Sequence, residues 1–211
     1  RFQEEEPRAL YTHCHAHLLD LAVMRFCDEV RQLRGCLSTV NQLYNVINAS
    51  ASRFSIFESI CKQNGDSKMK RLVGLSRTRW TVRHRAINAI LEKLPEICDT
   101  LEVVANDSSN GKVAAEADGL IKQITTFEFI FNLKFLYKVL TLTDILSKEL
   151  QSESMDISKV FTKVEAIIDC LKLERNENCF AQLWNEVEEL STKEYASKGM
   201  YVEKPHTYRY R

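Results

Sequence analysis

Three histidines and a cysteine fall within five consecutive positions, His13 to His17, near the start of the chain. Thiolate and imidazole groups are good zinc ligands, and the spacing of Cys14 and His17 allows one turn of chain to supply two of them. A structural zinc site needs four ligands, and the sequence contains no second cluster to complete the set. We therefore predict that this chain has no metal site and no resident cofactor.

Two other interpretations of this stretch are open. A cysteine beside a histidine has the residue types of a thiol nucleophile and its base, but neighbours in sequence rarely have the geometry that catalysis needs. Alternatively, Cys14 and His17 brace a junction where a short strand, residues 9–14, gives way to a helix that begins near Ala16. We favour the junction, because helical periodicity starts directly after it.

A second group of residues with possible binding chemistry lies at 68–85, where seven Lys or Arg residues occur without an acidic one. The bias is local, because the whole chain has 29 basic and 29 acidic residues. Arginine side chains suit phosphate groups, and the indole of Trp80 suits stacking on an unpaired base. A solvated helix face, with Trp80 anchored in the core, is the competing interpretation. The candidate DNA contacts are Arg77, Arg79, Trp80, Arg83 and Arg85.

Composition indicates one mainly α-helical unit. The chain has 211 residues, 45% of them hydrophobic, and its six Gly and three Pro leave long uninterrupted periodic segments. The seven cysteines form no CxxC pair, which favours free thiols in a reducing, intracellular compartment. No window reaches the roughly 18 apolar residues of a membrane span. The acidic start lacks both a Met and the apolar core of a signal peptide, and we expect a piece of a longer protein.

Periodicity predicts one strand followed by seven or eight helices. A lone strand needs partners, which we expect outside this chain. The first helix continues through, or restarts after, Gly35, and Ser50 or Ser52 could cap a later one. Another helix is expected to end at Pro95, and a new one to follow it. Residues 127–146 are apolar almost all round, which is typical of a helix buried inside a bundle.

Two blocks of residues stand out together in this chain. The second block is a T-R-W, here Thr78, Arg79 and Trp80. The first block comprises Tyr11, His13, Cys14, Ala16, His17, Leu19 and Leu21. Both blocks resemble the hAT transposase superfamily, most closely its domesticated branch in zinc-finger MYM-type and similar proteins. Together they cover roughly residues 7–90, and Asp20 stands where Asn is commoner in that family.

The resemblance implies how the chain is organised. Residues 1–30 would end an RNase H-like core, residues 31–196 would form its helical insertion domain, and residues 197–211 would lead back to the core. In this family Cys14 and His17 lie close to the catalytic core, and Trp80 resembles a tryptophan that stacks near the transposon end. Three metal-binding carboxylates that cut and join DNA with Mg²⁺ would all lie outside the chain.

The resemblance also implies a function. We expect a nuclear protein that positions DNA, in transposition or in a domesticated, transcription-related role, with this chain inactive as an enzyme by itself. The alternative is a helical module for protein interaction or dimerisation, without DNA activity, in a chromatin or transcription adaptor. DNA and a second copy of the chain are the expected partners, and a membrane or a small-molecule substrate is not expected.

Overall fold

The computed structural model describes residues 4, 6, 8, 14–65, 72, 74, 75, 80–107, 110–152 and 156–203, with the backbone alone at 80–82 and 157. Over these residues the chain is mainly α-helical, which confirms the predicted fold class. Residues 9–13 of the predicted strand lie outside this description. The helices are α1 (His15–Glu29), α2 (Arg31–Asn48), α3 (Ala51–Gln63), α4 (Trp80–Ala105), α5 (Gly111–Ile124), α6 (Phe127–Leu150), α7 (Ile157–Leu173) and α8 (Glu177–Glu189), after which Leu190–Tyr195 is π-helical.

Helix α6 is the centre of the bundle. It packs against α1, α2, α4, α5, α7 and α8, so apolar residues are needed on most of its circumference. The prediction of a buried helix over 127–146 is therefore confirmed. Each large apolar side chain buried here contributes about 1.5–3 kcal/mol. The buried apolar residues of α6 are Phe127, Phe129, Ile130, Leu133, Leu136, Leu140 and Leu146.

Polar side chains cap the helices of the second half of the chain. Asn110, Thr126, Asp156 and Asn176 each accept a backbone N–H hydrogen bond at the start of α5, α6, α7 and α8. Such a cap satisfies one of the free donors at a helix N-terminus and typically contributes about 1 kcal/mol. Ser50 stands at the expected capping position before α3, but its side chain makes no capping hydrogen bond.

The chain turns between α1 and α2 at Val30, earlier than Gly35. Val30 has extended backbone angles (φ −91°, ψ 108°), and Gly35 lies inside α2. Arg34 closes the corner by donating from Nη1 to the carbonyl oxygen of Asp28 at 2.9 Å. Leu33 is buried on the core-facing side of α2 together with later residues of the helix. Because that side chain lies in helical register with them, α2 begins before Gly35.

Pro95 bends a helix where the sequence predicted a helix end. Helix α4 runs through the proline and departs from helical angles at Lys93 (φ −115°, ψ 15°). Proline has no N–H, so the carbonyl of Leu91, four residues earlier, loses its helical donor. The hydroxyl of the fully buried Tyr195 donates to that carbonyl oxygen at 2.7 Å. A partner distant in sequence thus allows the helix to continue past the proline.

The last described residues form a strap, residues 198–203, across the bundle. Lys198 Nζ lies 3.5 Å from Oε1 of Glu96, a carboxylate that is almost completely buried next to the kink. The backbone N–H of Glu203 donates to the carbonyl oxygen of Thr125 at 2.9 Å, in the turn between α5 and α6. The strap therefore joins the kinked helix to the start of α6, and it buries Met200 and Val202.

The Tyr195 hydrogen bond should be measurable as a coupling with Pro95. Tyr195→Phe leaves the Leu91 carbonyl buried without a donor, and we expect the free energy of unfolding to fall by about 1–3 kcal/mol. In a Pro95→Ala background the backbone N–H of the introduced alanine can supply the donor, so the same substitution should cost less. Urea denaturation of the four proteins in this double-mutant cycle gives the coupling energy directly.

Tyr201, which is 78% exposed, offers the control for that cycle. Tyr201→Phe should change the free energy of unfolding by less than about 0.5 kcal/mol in either background. If Tyr195→Phe costs the same with proline and with alanine at position 95, the hydroxyl does not replace the missing helical donor.

Candidate nucleic-acid interface

The cluster that opens the sequence lies on the surface. Cys14 precedes α1 and makes no side-chain capping hydrogen bond, and both Cys14 and His17 are exposed, whereas Ala16 is buried. His13 lies outside the described residues. No group of three or more His, Cys, Asp or Glu side chains able to hold a metal ion is found in the part of the chain that the structure describes.

The basic segment, residues 68–85, is held to the bundle on both sides of a stretch that the structure does not describe. Leu72 is buried, and its carbonyl oxygen accepts a hydrogen bond from Nδ2 of Asn48 at 3.2 Å. Gly74 lies so close to the ring of Tyr44 that a Cβ atom would come within 2.9 Å of it. The segment then enters α4 at Trp80. Arg77 and Arg79 lie in between, outside the described residues.

Arg83 is buried where α4 meets α1. It is 9% exposed, and burial lowers the pKa of its guanidinium, while Cys27, Asp28 and Asp20 act in the opposite direction. The carboxylates of Asp20 and Asp28 therefore supply the negative charge that a buried arginine requires. With so little exposed surface, Arg83 is placed to fix α4 against α1 and has little area left for a phosphate group.

Asp20, which lies near Arg83, has a partly buried carboxyl group whose charged form is disfavoured. Burial raises the pKa of its carboxyl group, and His17 and Arg83 offset part of that rise by attraction. Its Oδ1 atom is buried without a hydrogen-bond partner among the described residues. A buried acceptor without a donor disfavours the charged form of the carboxyl group. Asp20 thus stands at the α1–α4 contact as a carboxylate that its surroundings only partly stabilise.

His84 and Arg85 complete the described part of the basic segment. The His84 ring stacks on Tyr137 with 5.0 Å between ring centroids, and its Nε2 lies 3.1 Å from Oγ1 of Thr141. The Thr141 hydroxyl donates its proton to the Tyr137 carbonyl at 2.8 Å, so His84 Nε2 must be the donor in the first contact. Arg85, in contrast, is exposed to solvent and available to a partner.

The structure separates the five predicted DNA contacts into different environments. Arg85 is on the surface and Arg83 is buried, whereas Arg77, Arg79 and the side chain of Trp80 lie outside the described atoms. The helical periodicity of α4 distinguishes the two described arginines. Arg83 lies three, four and seven residues before the buried Ala86, Ile87 and Ile90, on the same face of the helix. Arg85 is two residues further on, which places it on the opposite face.

Two features escaped the sequence analysis. Nothing local indicated that Tyr195 would contact the Pro95 kink, because the hydrogen bond spans 104 residues. An apolar groove between α1, α6 and α7 was also missed, although Phe161, on the apolar face of α7, is largely exposed there. No helix within the described ranges has both the length and the apolarity needed to cross a membrane.

The geometry defines a mainly α-helical module whose basic segment is attached to the bundle at Leu72 and Gly74 and again at Arg83. No family model and no solved structure matches this chain. It is similar to proteins named "52 kDa repressor of the inhibitor of the protein kinase", at 24% identity over 202 residues in Mus musculus and 24% over 201 residues in Homo sapiens. Each alignment covers 92% of this chain and 26% of the relative, so the chain spans about a quarter of their length.

The two described arginines should respond differently to substitution. Arg83→Met leaves the carboxylates of Asp20 and Asp28 without their buried cation, and we expect a loss of about 2 kcal/mol in the free energy of unfolding. Arg85→Ala, its matched control two residues away, should stay within about 0.5 kcal/mol of the parent. Equal losses in urea denaturation would contradict the assignment of Arg83 to the α1–α4 contact.

Asp20→Asn should stabilise the fold at neutral pH and flatten its pH dependence. The raised pKa means that the folded chain binds the Asp20 proton more tightly than the unfolded chain does. Its contribution to stability is therefore complete below the ordinary aspartate value of 3.8 and is lost as pH rises through the raised folded value. Asn cannot ionise, so the advantage of the variant should grow over that window. Unfolding at a series of pH values tests this, and a pH-independent difference would refute it.

Proposed function

We propose that this chain is the helical region of a regulatory, hAT-transposase-derived protein, and that its basic segment contacts DNA. The names of the relatives describe a repressor, which is consistent with a regulatory role. The two sequence blocks support the hAT relationship, with residues 1–30 ending a core, 31–196 forming the insertion and 197–211 returning. A nuclear location follows from the same proposal. Cutting and joining of DNA is not assigned to this chain, because the carboxylates it needs are expected elsewhere.

One observation carries the DNA proposal. Residues 68–85 combine seven basic side chains and no acidic one in a chain of zero net charge. Hydrogen bonding at Leu72 and close packing at Gly74 attach this segment to α2, and the buried Arg83 fixes its far end against α1. Attachment at Leu72 and Gly74 and again at Arg83 reduces the conformational entropy that ordering on DNA would otherwise cost. We expect phosphate contacts from Arg77, Arg79 and Arg85.

Fluorescence anisotropy with a labelled DNA duplex and a labelled single strand tests this function. We expect the Arg79→Ala/Trp80→Ala double variant to lose about tenfold or more in affinity. Arg85→Ala should reduce the slope of log affinity against log salt by about 1, as expected for one lost phosphate contact. Arg175→Ala, at an exposed arginine between α7 and α8, is the matched control and should bind like the parent.

Trp80 needs a second readout, because its alternative role is to anchor the start of α4. Circular dichroism melting of each variant separates lost binding from lost folding. Arg79→Lys keeps the charge and should retain most of the non-specific affinity, but lose bidentate contacts. Binding that is absent, insensitive to salt or unchanged in folded double variants would rule out DNA contact by the basic segment.

A protein-interaction module is the second candidate function, and the apolar groove between α1, α6 and α7 favours it. Exposed apolar surface of this kind is typical of interaction sites in folded proteins. The two functions are compatible, because the groove and the basic segment use different side chains.

A further inference from the structure

A buried carboxylate lies where the strap, residues 198–203, meets the kinked helix α4. Glu96 is 1% exposed, and its Oε2 atom has no hydrogen-bond partner among the described residues. Its other oxygen, Oε1, lies 3.5 Å from Nζ of Lys198, at the long limit of a hydrogen bond. A buried carboxylate needs both an opposite charge and hydrogen bonds to its remaining lone pairs. Lys198 therefore compensates Glu96 only in part.

The turn that begins the strap sets the position of Lys198. The N–H of Met200 donates to the carbonyl oxygen of Tyr195, and the N–H of Gly199 donates to that of Ala196, both at 3.0 Å. These two bonds form a Schellman motif, whose glycine has a positive φ, here +84°. Met200 and Tyr195 are both buried, as is usual for the apolar pair of this motif. The motif thus fixes the backbone of Lys198, one residue before the glycine.

The far end of the strap is attached by contacts of a different kind. The N–H of Glu203 donates to the carbonyl oxygen of Thr125 at 2.9 Å, next to a bridge between Glu203 and Thr126. Val202 is buried, whereas Tyr201 before it is 78% exposed. A short extended segment with one face in water can open locally at a lower free energy than the whole fold. The strap has this character, because it is extended and only some of its side chains are buried.

We propose that the strap opens and closes as a unit, and that the pair between Lys198 and Glu96 holds it closed. Gly199 is the hinge, because glycine adopts a positive φ without a steric penalty and rotates freely out of it. In the closed position the chain leaves the bundle beside Thr125, at the turn before α6. In the open position it leaves at the hinge, beside the kink of α4.

The charge of Lys198 controls this equilibrium. Without it the closed strap leaves the carboxylate of Glu96 buried and uncompensated, whereas opening admits water to that carboxylate. Loss of the lysine charge therefore favours the open position. The proposal is independent of the DNA contact, since none of these residues belongs to the basic segment and the test below is made without DNA.

Amide hydrogen exchange of the full chain, followed by NMR, tests the strap. The amide of Glu203 is the probe, because its N–H is released when the strap leaves Thr125. Lys198→Met should accelerate its exchange about tenfold or more, while amides in the middle of α6 exchange as in the parent. Lys193→Met is the matched control, because Lys193 lies five residues earlier and pairs with the exposed Glu189 at 2.6 Å. That variant should exchange within about twofold of the parent at Glu203.

A neutral pair separates the charge from other effects of the lysine. Glu96→Gln/Lys198→Met has no buried charge to compensate, so exchange at Glu203 should return to within about threefold of the parent. Circular dichroism of each variant checks that the bundle is folded.

Three results would overturn the proposal. Unchanged exchange at Glu203 in Lys198→Met means that the charge pair does not hold the strap closed. Equal acceleration at Glu203 and in the middle of α6 means that the strap does not open separately from the bundle. If the double variant exchanges as fast as Lys198→Met alone, the lysine acts on the strap by some means other than the charge of Glu96.

Discussion

The missing N–H of Pro95 sets the requirement that organises the described bundle. A proline inside a helix leaves a carbonyl without its donor, and here that carbonyl, on Leu91, is buried in the core. Tyr195 meets the requirement with its hydroxyl, which in turn needs a partner because the residue is fully buried. Burial also raises the pKa of Tyr195, so the hydroxyl keeps the proton that it donates. The buried Leu91 carbonyl and the buried Tyr195 hydroxyl would each be destabilising without a hydrogen-bond partner, and each is the partner of the other.

This hydrogen bond fixes the path of the chain after α8. Because Tyr195 must reach α4, the π-helical segment Leu190–Tyr195 lies against the kink, and the strap that follows is led towards the turn before α6. The strap thereby holds the turn that precedes α6, and the helices around α6 hold it along its length. The central helix and the end of the described chain thus depend on a single bend in α4.

How much of the fold could be predicted from the sequence depends on whether the residues that determine each feature are close together in the chain. The all-round apolarity of 127–146 identified the central helix, since any element with that composition must be surrounded. The effect of Pro95 could not be predicted as a bend, because the donor that rescues Leu91 comes from Tyr195, distant in sequence. The position of the first turn depends likewise on which residues, such as Leu33, the neighbouring helices need to bury. Sequence patterns encode the elements better than they encode such distant partners.

The same distinction between local and distant causes applies to the candidate site. A basic cluster can be recognised from composition, but the role of each arginine depends on which face of the helix it occupies. Arg83 aligns with buried residues of α4 and Arg85 does not, so the helical period of the sequence is enough to separate the two. The carboxylates near Arg83 could not be found in this way. Asp28 and Asp20 lie on another helix, and their charges act on Arg83 only once the chain has folded.

The zero net charge of the chain affects the electrostatics of the proposed interface with DNA. An excess of positive charge at 68–85 requires an equal negative excess elsewhere, and α8 alone has four glutamates and no basic residue. Attraction at one segment and repulsion at another orient the chain as it approaches the phosphate backbone, although salt limits each effect to about 8 Å in physiological solution. The proposed DNA contact is therefore expected at the basic segment, where the positive charge of the chain is concentrated.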